Sequence, residues 1–416
     1  MEPARSADRG FFPLDEELDL DGSDLTPQAH EGLVRLASWV PFEPAAQLLE
    51  ALVGVRVSKS SARRFTLAGG QAGLQEWEEK TRALQQALPG APTGARQQVM
   101  SADGAMVPLV GGEWAEVKTL VLGEVRWNEA EEAQTEQLSS CSRLADVPGF
   151  EQATLLEVQR RGLEHAETVA AVTDGAEWLQ GFIDYHRSDA VRILDFAHAA
   201  QYVHAIGEAV RQAGHRLPEK WGEGVLHRLK QEGPDRVLVH LERLSQRCRD
   251  AKVGQAWQYL SSRRAQMQYP RYQAAGWPIG SGMVESANKL VVEARLKGAG
   301  MHWKRDNVNP MLLLRNAVCN ERWEESWQGR RKQGQQARQR QRTQQAQARL
   351  HRALTHLLDV WLPLFLSRSW PPKPALPSAP RPQTTLPKGR TEAQKRWGRR
   401  PISLQGMRLQ AQFAKN

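Results

Sequence analysis

The stretch VAAVTDGAEWLQGFIDYHRSDAVRILDFAH, residues 169–198, carries the alternation of patterns that decides the fold. An apolar run at 169–172 predicts a short buried strand, residues 176–186 predict a helix, and residues 191–194 predict a second strand. Each predicted strand is followed at once by an aspartate, Asp174 or Asp195. Alternating strands and helices indicate an α/β fold in which functional side chains gather at the carboxyl ends of the strands.

Two further acids stand in short signatures of their own. Asp103 lies in Ser101-Ala-Asp-Gly-Ala-Met-Val107, and Glu285 lies in Gly280-Ser-Gly-Met-Val-Glu-Ser-Ala-Asn-Lys289. Residues 98–110 and 114–125 predict two strands, and the Gly111-Gly112 pair between them favours an antiparallel hairpin that contains Asp103. Residues 126–146 are acidic and rich in serine, which predicts a surface loop before a helix at 151–162. Glu285 opens a helical pattern.

Acids that converge from distant parts of a chain are typical of a magnesium site. Mg²⁺ takes hard oxygen ligands and is usually held by a few carboxylates together with phosphate oxygens. Two such ions can stabilise the attacking and the leaving oxygen when a phosphodiester is cut or joined. Each acid alone has an ordinary explanation, because Asp-Gly is a common turn dipeptide and Glu285 could be a solvent-facing helix residue. The interpretation depends on their occurrence together.

The N-terminal part of the chain has a helical pattern that is typical of DNA-binding proteins. Residues 41–52 predict one amphipathic helix, and residues 60–67 predict a second that carries Arg63 and Arg64. Two short helices joined by a glycine turn match a helix-turn-helix, in which the second helix enters the DNA major groove. An ordinary helical hairpin fits the pattern equally well. A further helix at 71–88 and a linker at 89–92 follow.

Positive charge is concentrated at the C-terminal end. The chain has 416 residues and a net charge of +9, but residues 326–416 hold 19 Lys and Arg against Asp359 and Glu392, a balance of +17. The preceding 325 residues therefore carry a balance of −8. Such an uneven distribution indicates contact with nucleic acid, although a solvated basic tail has the same composition.

Composition also excludes several classes of protein. The sequence holds no apolar run near the roughly 20 residues of a membrane span, so we expect no membrane partner. The acidic N-terminus is not a signal peptide. The cysteines Cys141, Cys248 and Cys319 are too widely spaced for a disulfide framework or a Cys-x-x-Cys zinc pair. A cytoplasmic, nucleoid-associated protein fits these observations.

Several phrases of the sequence together resemble one family. They are Ser101-Ala-Asp-Gly-Ala-Met-Val107, Gly112-Glu-Trp-Ala-Glu-Val-Lys118, Thr173-Asp-Gly-Ala-Glu-Trp178, Ile193-Leu-Asp-Phe-Ala-His-Ala199, Pro278-Ile-Gly-Ser-Gly-Met-Val-Glu-Ser-Ala-Asn288 and Lys297-Gly-Ala-Gly-Met-His-Trp303. The chain resembles bacterial insertion-sequence transposases of the DDE class, most closely the ISKra group. The resemblance covers about residues 40–325.

The resemblance implies an RNase H-like core and a catalytic site. It implies that Asp103, Asp174 and Glu285 are the catalytic acids and bind two Mg²⁺ or Mn²⁺ ions. It also implies that Asp195 and His198 form an auxiliary Asp-x-x-His pair. Asp195 stands at a predicted strand end and is the alternative second metal ligand in place of Asp174.

Further residues near Glu285 are candidates for contact with DNA. Asn288 and Lys289 stand at i+3 and i+4 from Glu285, so they share its helical face and could position a phosphate or a terminal nucleotide. His302, Trp303 and Lys304 form a polar and aromatic cluster suited to stacking on a displaced base. A tryptophan at such a position is more often part of a core.

These patterns divide the chain into six segments and predict its partners. The patterns predict an α/β fold, and the resemblance implies an RNase H-like core of mixed sheet and flanking helices, double-stranded DNA as substrate, and a homo-oligomer as the active complex. A domesticated DNA-binding relative and a nuclease without strand transfer are the alternatives. The segments are an acidic flexible N-terminus (1–32), a helical DNA-binding domain (33–92), the first part of the core (93–198), a helical insertion (199–275), the closing helix of the core (276–325) and a basic, largely disordered tail (326–416).

Overall fold

The structure is a computed structural model that describes residues 25–86, 95–129, 133–248, 250–329, 339–340, 343–352 and 354–355. The chain divides into two compact units, of which the first holds described residues 25–326 and the second begins at Trp327. Within the second unit, residues 343–352 are helical. Most of the predicted tail and the predicted N-terminal segment 1–24 lie outside the described residues. No helix in the described ranges is long and apolar enough to cross a membrane.

Three helices open the first unit: α1 (Pro27–Trp39), α2 (Phe42–Val53) and α3 (Lys59–Gln86). The Thr26 hydroxyl caps α1 by accepting from the Ala29 N–H, so this helix begins six residues before the predicted domain boundary at residue 33. The three helices share a core that includes Leu33, Leu49 and Ala62. Gly54, with φ of 73°, ends α2 and turns the chain toward α3.

The third helix is longer than the sequence patterns predict. Separate helices were expected at 60–67 and 71–88, but α3 continues through Gly69 and Gly70. A Cβ atom at Gly70 would lie 2.4 Å from the carbonyl oxygen of Pro310, so this glycine allows a later helix to approach closely. The glycines therefore serve packing here and do not break the helix.

A five-stranded mixed sheet forms the centre of the unit. Its strands are β1 (Gln97–Pro108), β2 (Trp114–Trp127), β3 (Ala133–Arg143), β4 (Thr168–Thr173) and β5 (Val191–Leu194), in the order β3-β2-β1-β4-β5. The β1–β2 and β2–β3 pairs are antiparallel, whereas β4 is parallel to both β1 and β5. The predicted hairpin and the two short parallel strands are confirmed.

The prediction of a surface loop at 126–146 is wrong, because most of this segment is strand β3. Its serines pair their backbone with β2, and Ser140 and Ser142 also have side-chain partners. The Ser140 N–H donates to Asn320 Oδ1 at 2.8 Å, and the Ser142 hydroxyl lies 2.9 Å from that of Thr119. Because these groups of Ser140 and Ser142 are satisfied, the second half of the strand can be buried although its composition is that of a loop.

Helices cover both faces of the sheet. One face packs on α4 (Val147–Arg160) and α5 (Glu177–Arg187), where Phe150 and Phe182 stack with ring centroids 5.1 Å apart. The other face packs on a helical series that begins with α6 (Phe196–Gln212). Successive strand residues alternate between the two cores, as in Val99 and Met100 of β1. The first unit is therefore a mixed α/β fold with a sheet between layers of helices.

The segment predicted as a helical insertion at 199–275 is helical throughout its regular structure. It contains the rest of α6, then α7 (Trp221–Glu232), α8 (Pro234–Cys248), α9 (Ala251–Ser262) and α10 (Tyr269–Ala274). The chain then forms α11 (Gly282–Ala287), which continues as a π-helical turn at Asn288–Glu293 and a last turn, α12 (Ala294–Leu296). Helix α13 (Arg305–Cys319) follows, and residues 323–329 are helical as well.

Candidate active site

The register of the parallel strands places three aspartates at one level of the sheet. Met100 of β1 pairs with Ala171 of β4, and three residues further along both strands are Asp103 and Asp174. Thr173 of β4 pairs with Leu194 of β5, and the next residues are Asp174 and Asp195. Because these strands are parallel, all three aspartates reach the edge where β4 and β5 end.

Asp103 is half-buried between like charges. Burial raises the pKa of its carboxyl group, and the negative charges of Asp174 and Glu116 raise that pKa further. The Gly104 N–H and the side-chain amide of Asn288 act in the opposite direction, since both hydrogen-bond to the carboxylate. Asn288 Nδ2 lies 3.0 Å from Asp103 Oδ2. A divalent cation at this position would relieve the repulsion between the acids.

Asp174 lies in a tight turn that side chains from the helical segment at 199–275 hold in place. Its Oδ1 accepts from the Ala176 N–H at 2.9 Å, and the Tyr259 hydroxyl donates to the Asp174 carbonyl. Arg263 donates from Nη2 to the carbonyl oxygen of Gly175 at 2.7 Å. Gly175 has φ of 79°, and a Cβ atom there would lie 2.7 Å from Arg263 Nε. The turn therefore depends on Gly175 and on two side chains, that of Tyr259 in α9 and that of Arg263 just after α9.

The Asp195 carboxylate connects two separate segments of the backbone. It is 3% exposed, and its Oδ1 accepts from the His198 N–H at 2.7 Å, which caps α6. Its Oδ2 accepts from the Ser281 N–H, so the same carboxylate holds the residue just before α11. Both oxygens thus have backbone partners. This geometry favours Asp174 over Asp195 as the second acid of the site.

Glu285 does not join the two aspartates. It is exposed in the first turn of α11, and Asn288, one turn later, makes the contact to Asp103. Across the part of the chain that the structure describes, no three His, Cys, Asp or Glu side chains stand close enough together to hold a metal ion. The structure therefore brings Asp103, Asp174 and the Glu285 helix together, but not the third carboxylate.

The residues at this edge fit a cation that prefers oxygen ligands. Asp103 and Asp174 provide carboxylate oxygens in electrostatic contact. The Asn288 Oδ1 atom is buried and has no hydrogen-bond partner among the described residues. A buried acceptor without a partner in the described ranges, on the amide that bonds to Asp103, adds an oxygen atom of the kind that Mg²⁺ or Mn²⁺ takes as a ligand.

The remaining predicted residues divide into exposed and buried groups. Those with exposed side chains are Arg63, Arg64, Lys289, His302 and Lys304. His198 is half-buried, and its ring lies edge-on to Tyr202 with centroids 5.4 Å apart.

Trp303 does not fit its predicted role in stacking on a base. It is 5% exposed, and its indole N–H donates to the Leu296 carbonyl at 3.2 Å. Its backbone bridges to β1, because the Trp303 N–H donates to the Pro108 carbonyl at 3.0 Å. Asn288 is also buried, and it bonds to Asp103 within the site.

Sequence reasoning missed four residues that shape the site: Glu116, Tyr259, Arg263 and Ser281. Glu116 lies across the hairpin from Met106, and its charge acts on Asp103. Tyr259 and Arg263 stand at i and i+4 on one helical face, which was the only signal available for them.

Neither comparison, with protein-family models or with curated proteins, finds a match for this chain.

Proposed function

We propose that this chain is a DDE-class transposase of an insertion sequence, with an RNase H-like core, which cuts DNA at transposon ends and joins it to a target. One observation carries the proposal. Asp103 and Asp174 lie side by side at the edge of a five-stranded sheet, and the helix of Glu285 contacts Asp103 through Asn288 at 3.0 Å. Three separate sequence signatures thus meet at one place.

In this proposal the protein supplies position and charge. Asp103 and Asp174 would hold the ions, and Glu285 would turn toward them from its exposed position on α11. When bound, two divalent ions supply positive charge for the attacking and the leaving oxygen of phosphodiester hydrolysis and of the transesterification that follows. The Asp195 anchor and the Asp174 turn hold strand ends and helix in register, which fixes the phosphodiester relative to the acids.

Exposed basic side chains supply the proposed contact with double-stranded DNA. Arg63 and Arg64 lie on α3, Lys289 lies beside Glu285, and His302 and Lys304 precede α13. Each phosphate that they neutralise would release counterions, so affinity would fall as salt rises. A homo-oligomer that holds two transposon ends, working at the nucleoid in the cytoplasm, belongs to the same proposal.

A second candidate is a DNA-binding protein that keeps the fold without the chemistry. The observation that favours it is the exposed position of Glu285, which leaves two carboxylates and an amide at the site. A metal-dependent endonuclease that cuts without strand transfer is a third candidate, and it would use the same acids.

A supercoiled plasmid that carries the DNA flanking this reading frame separates the candidates. With Mg²⁺, joined products support the transposase, nicking alone supports the endonuclease, and retardation without cleavage supports the binding protein. Asp103→Asn should abolish cleavage and leave retardation intact. The matched control is Asp184→Asn on α5, which removes an exposed carboxylate paired with Arg192 and should cut like the wild type. Equal cleavage by all three proteins would refute catalysis by Asp103.

A further inference from the structure

A cleft of about 550 Å³ lies between the N-terminal helices and the segment that follows the Glu285 helix. Helix α3 contributes Lys59 and Arg63 to its lining, and the segment before α13 contributes His302 and Lys304. Phe42, at the start of α2, lines it as well. The cleft therefore lies between the predicted DNA-binding helices and the part of the first unit that follows the Glu285 helix.

The charge of this cleft is positive. Of the described residues that line it, Glu43 alone is a carboxylate, and it pairs with Lys59 at 3.0 Å. Arg63 and Lys304 are exposed and form no ion pair with the described acids. Two cations from distant parts of the chain thus face solvent at the same cleft, and neither has an acidic partner among the described residues.

A buried arginine adds positive charge beneath the lining. Arg295 is 2% exposed, and its guanidinium lies between the rings of Phe42 and Trp303, at 4.8 and 5.3 Å from their centroids. Its Nε donates to the Ala37 carbonyl at 2.9 Å. Its Nη2 has no hydrogen-bond partner among the described residues. Its Nη1 donates to the Met301 sulfur at 3.7 Å, so the cation is held by aromatic faces, one carbonyl and one thioether.

A second buried arginine increases the excess of charge. Arg315 is 1% exposed and donates to the Ser38 carbonyl at 3.0 Å. Burial and the charge of Arg315 lower the pKa of Arg295 to about 10, so Arg295 stays protonated at neutral pH. No carboxylate of the described ranges forms an ion pair with either arginine. A buried charge without a counterion is costly, and an anion in the cleft would offset part of that cost.

We propose that this cleft binds the phosphodiester backbone of DNA, with phosphates between Arg63 and Lys304 above the buried Arg295. The cations come from two separate segments, which suits a chain of phosphates better than one small anion. The inference rests on the proposed function, because it takes DNA as the substrate. It places two of the proposed DNA contacts, Arg63 and Lys304, on one binding path above the buried Arg295.

The test measures DNA affinity with the full-length protein and paired variants. The cleft variant is Arg63→Ala with Lys304→Ala, and the control is Arg216→Ala with Lys220→Ala. The control pair removes the same charge from exposed positions in the loop between α6 and α7. Fluorescence anisotropy of a labelled duplex of about 30 base pairs is recorded between about 0.05 and 0.2 M KCl.

The cleft variant should bind DNA on the order of tenfold more weakly per lost contact at about 0.1 M salt. The slope of log affinity against log salt should fall by about 0.9 per lost phosphate contact, and the control should keep both values. Equal losses in the two variants, or no loss in the cleft variant, would overturn the proposal.

Free phosphate and the DNA backbone present the same anionic oxygens to the cleft, so binding of inorganic phosphate is compared with binding of DNA. At constant ionic strength, phosphate binding measured by calorimetry should be weak and DNA binding should depend on the cleft. If phosphate binding depends on Arg63 and Lys304 while DNA affinity does not, the cleft is a small-anion site and the assignment to DNA is overturned. Nicking of plasmid by the Asp103→Asn variant tests the proposed function separately, since that variant keeps the cleft.

Discussion

Arg263 donates two hydrogen bonds to the carbonyl oxygen of Gly175, from Nη2 at 2.7 Å and from Nε at 3.1 Å. The guanidinium also lies 3.7 Å from the centroid of the Tyr259 ring, whose hydroxyl donates to the adjacent Asp174 carbonyl. The helical segment at 199–275 thus holds the turn that contains Asp174, which precedes Arg263 by more than 80 residues in the sequence. This contact gives the segment a positioning role at the site.

Loss of this contact should slow cleavage without weakening DNA binding. In Arg263→Met the Asp174 turn loses two charge-assisted hydrogen bonds, so the carboxylate samples more orientations. We expect a fall in the rate at saturating DNA of roughly 10- to 100-fold and a higher Mg²⁺ requirement, as for residues that orient metal ligands. Single-turnover rates at several Mg²⁺ concentrations, with anisotropy for DNA affinity, measure both effects.

The control for that experiment is the neighbouring residue. Arg264→Met removes an exposed arginine whose partner, Asp235, is also exposed. Such a surface pair contributes little, so the rate and the Mg²⁺ requirement should stay at the wild-type values. A rate for Arg263→Met equal to that for Arg264→Met would remove the positioning role.

Gly175→Ala should destabilise the protein. Its φ of 79° disfavours any side chain, and the new Cβ would lie within 3 Å of Arg263 Nε, Tyr259 Oη and Leu194 Cδ1. We expect a loss of about 1 to 3 kcal/mol in the free energy of unfolding, measured in urea. Gly181→Ala is the matched control, because Gly181 lies in α5 with open space around it and should gain up to about 1 kcal/mol.

The sequence predicted the elements of this site better than their contacts. Strands β1, β2, β4 and β5 have strong apolar patterns, and the acids follow β4 and β5 directly, so local pattern located them. Strand β3 was missed because its partners Asn316, in α13, and Asn320, just after that helix, lie far along the chain. Pattern reasoning reads neighbours in sequence, whereas burial of polar residues depends on distant partners.

The site shows the same limit. The resemblance gave Asp103, Asp174 and Glu285 equal roles, but the structure places Asn288 against Asp103 and leaves Glu285 exposed. On a helix, residues at i and i+3 share a face, so sequence alone could not decide which of the two reaches the strand. The predicted separation of the helices at 60–67 and 71–88 was wrong for a similar reason, since the close contact of Gly70 with Pro310 has no local signal.

Asp195 and Asp103 should respond in opposite ways to the same substitution. Asp195→Asn leaves one acceptor oxygen for two backbone N–H donors, those of His198 and Ser281. We expect a loss of about 1 to 2 kcal/mol in the free energy of unfolding. Asp103→Asn removes a carboxylate whose pKa is raised by burial and by the charge of Asp174, so stability should rise when divalent metal is absent.

Urea unfolding in EDTA at neutral pH measures both changes, and plasmid cleavage in Mg²⁺ measures activity. Asp103→Asn should be stable and inactive, whereas Asp195→Asn should keep activity at low temperature, where enough of the chain is folded. Asp195 would return as the second acid if Asp195→Asn were fully folded and inactive.

Acid should destabilise the fold through His186. This residue is 4% exposed in α5, and burial lowers its pKa from 6.5 to about 3. Above pH 6.5 the imidazole is neutral in both the folded and the unfolded protein. Below pH 6.5 the imidazole is protonated in the unfolded chain but stays neutral in the folded protein. Stability therefore falls as pH drops from 6.5 toward 3, by about 1.4 kcal/mol per pH unit from this group.

His186→Gln should reduce that dependence because glutamine does not titrate. Between pH 6.5 and pH 5, the wild type should lose about 2 kcal/mol more than the variant in the free energy of unfolding, apart from the groups that both share. His215→Gln, at an exposed position, serves as the control and should follow the wild-type curve. Parallel curves for wild type and His186→Gln would mean that His186 is protonated in the folded protein, and its buried contact with Thr154 would then need a different account.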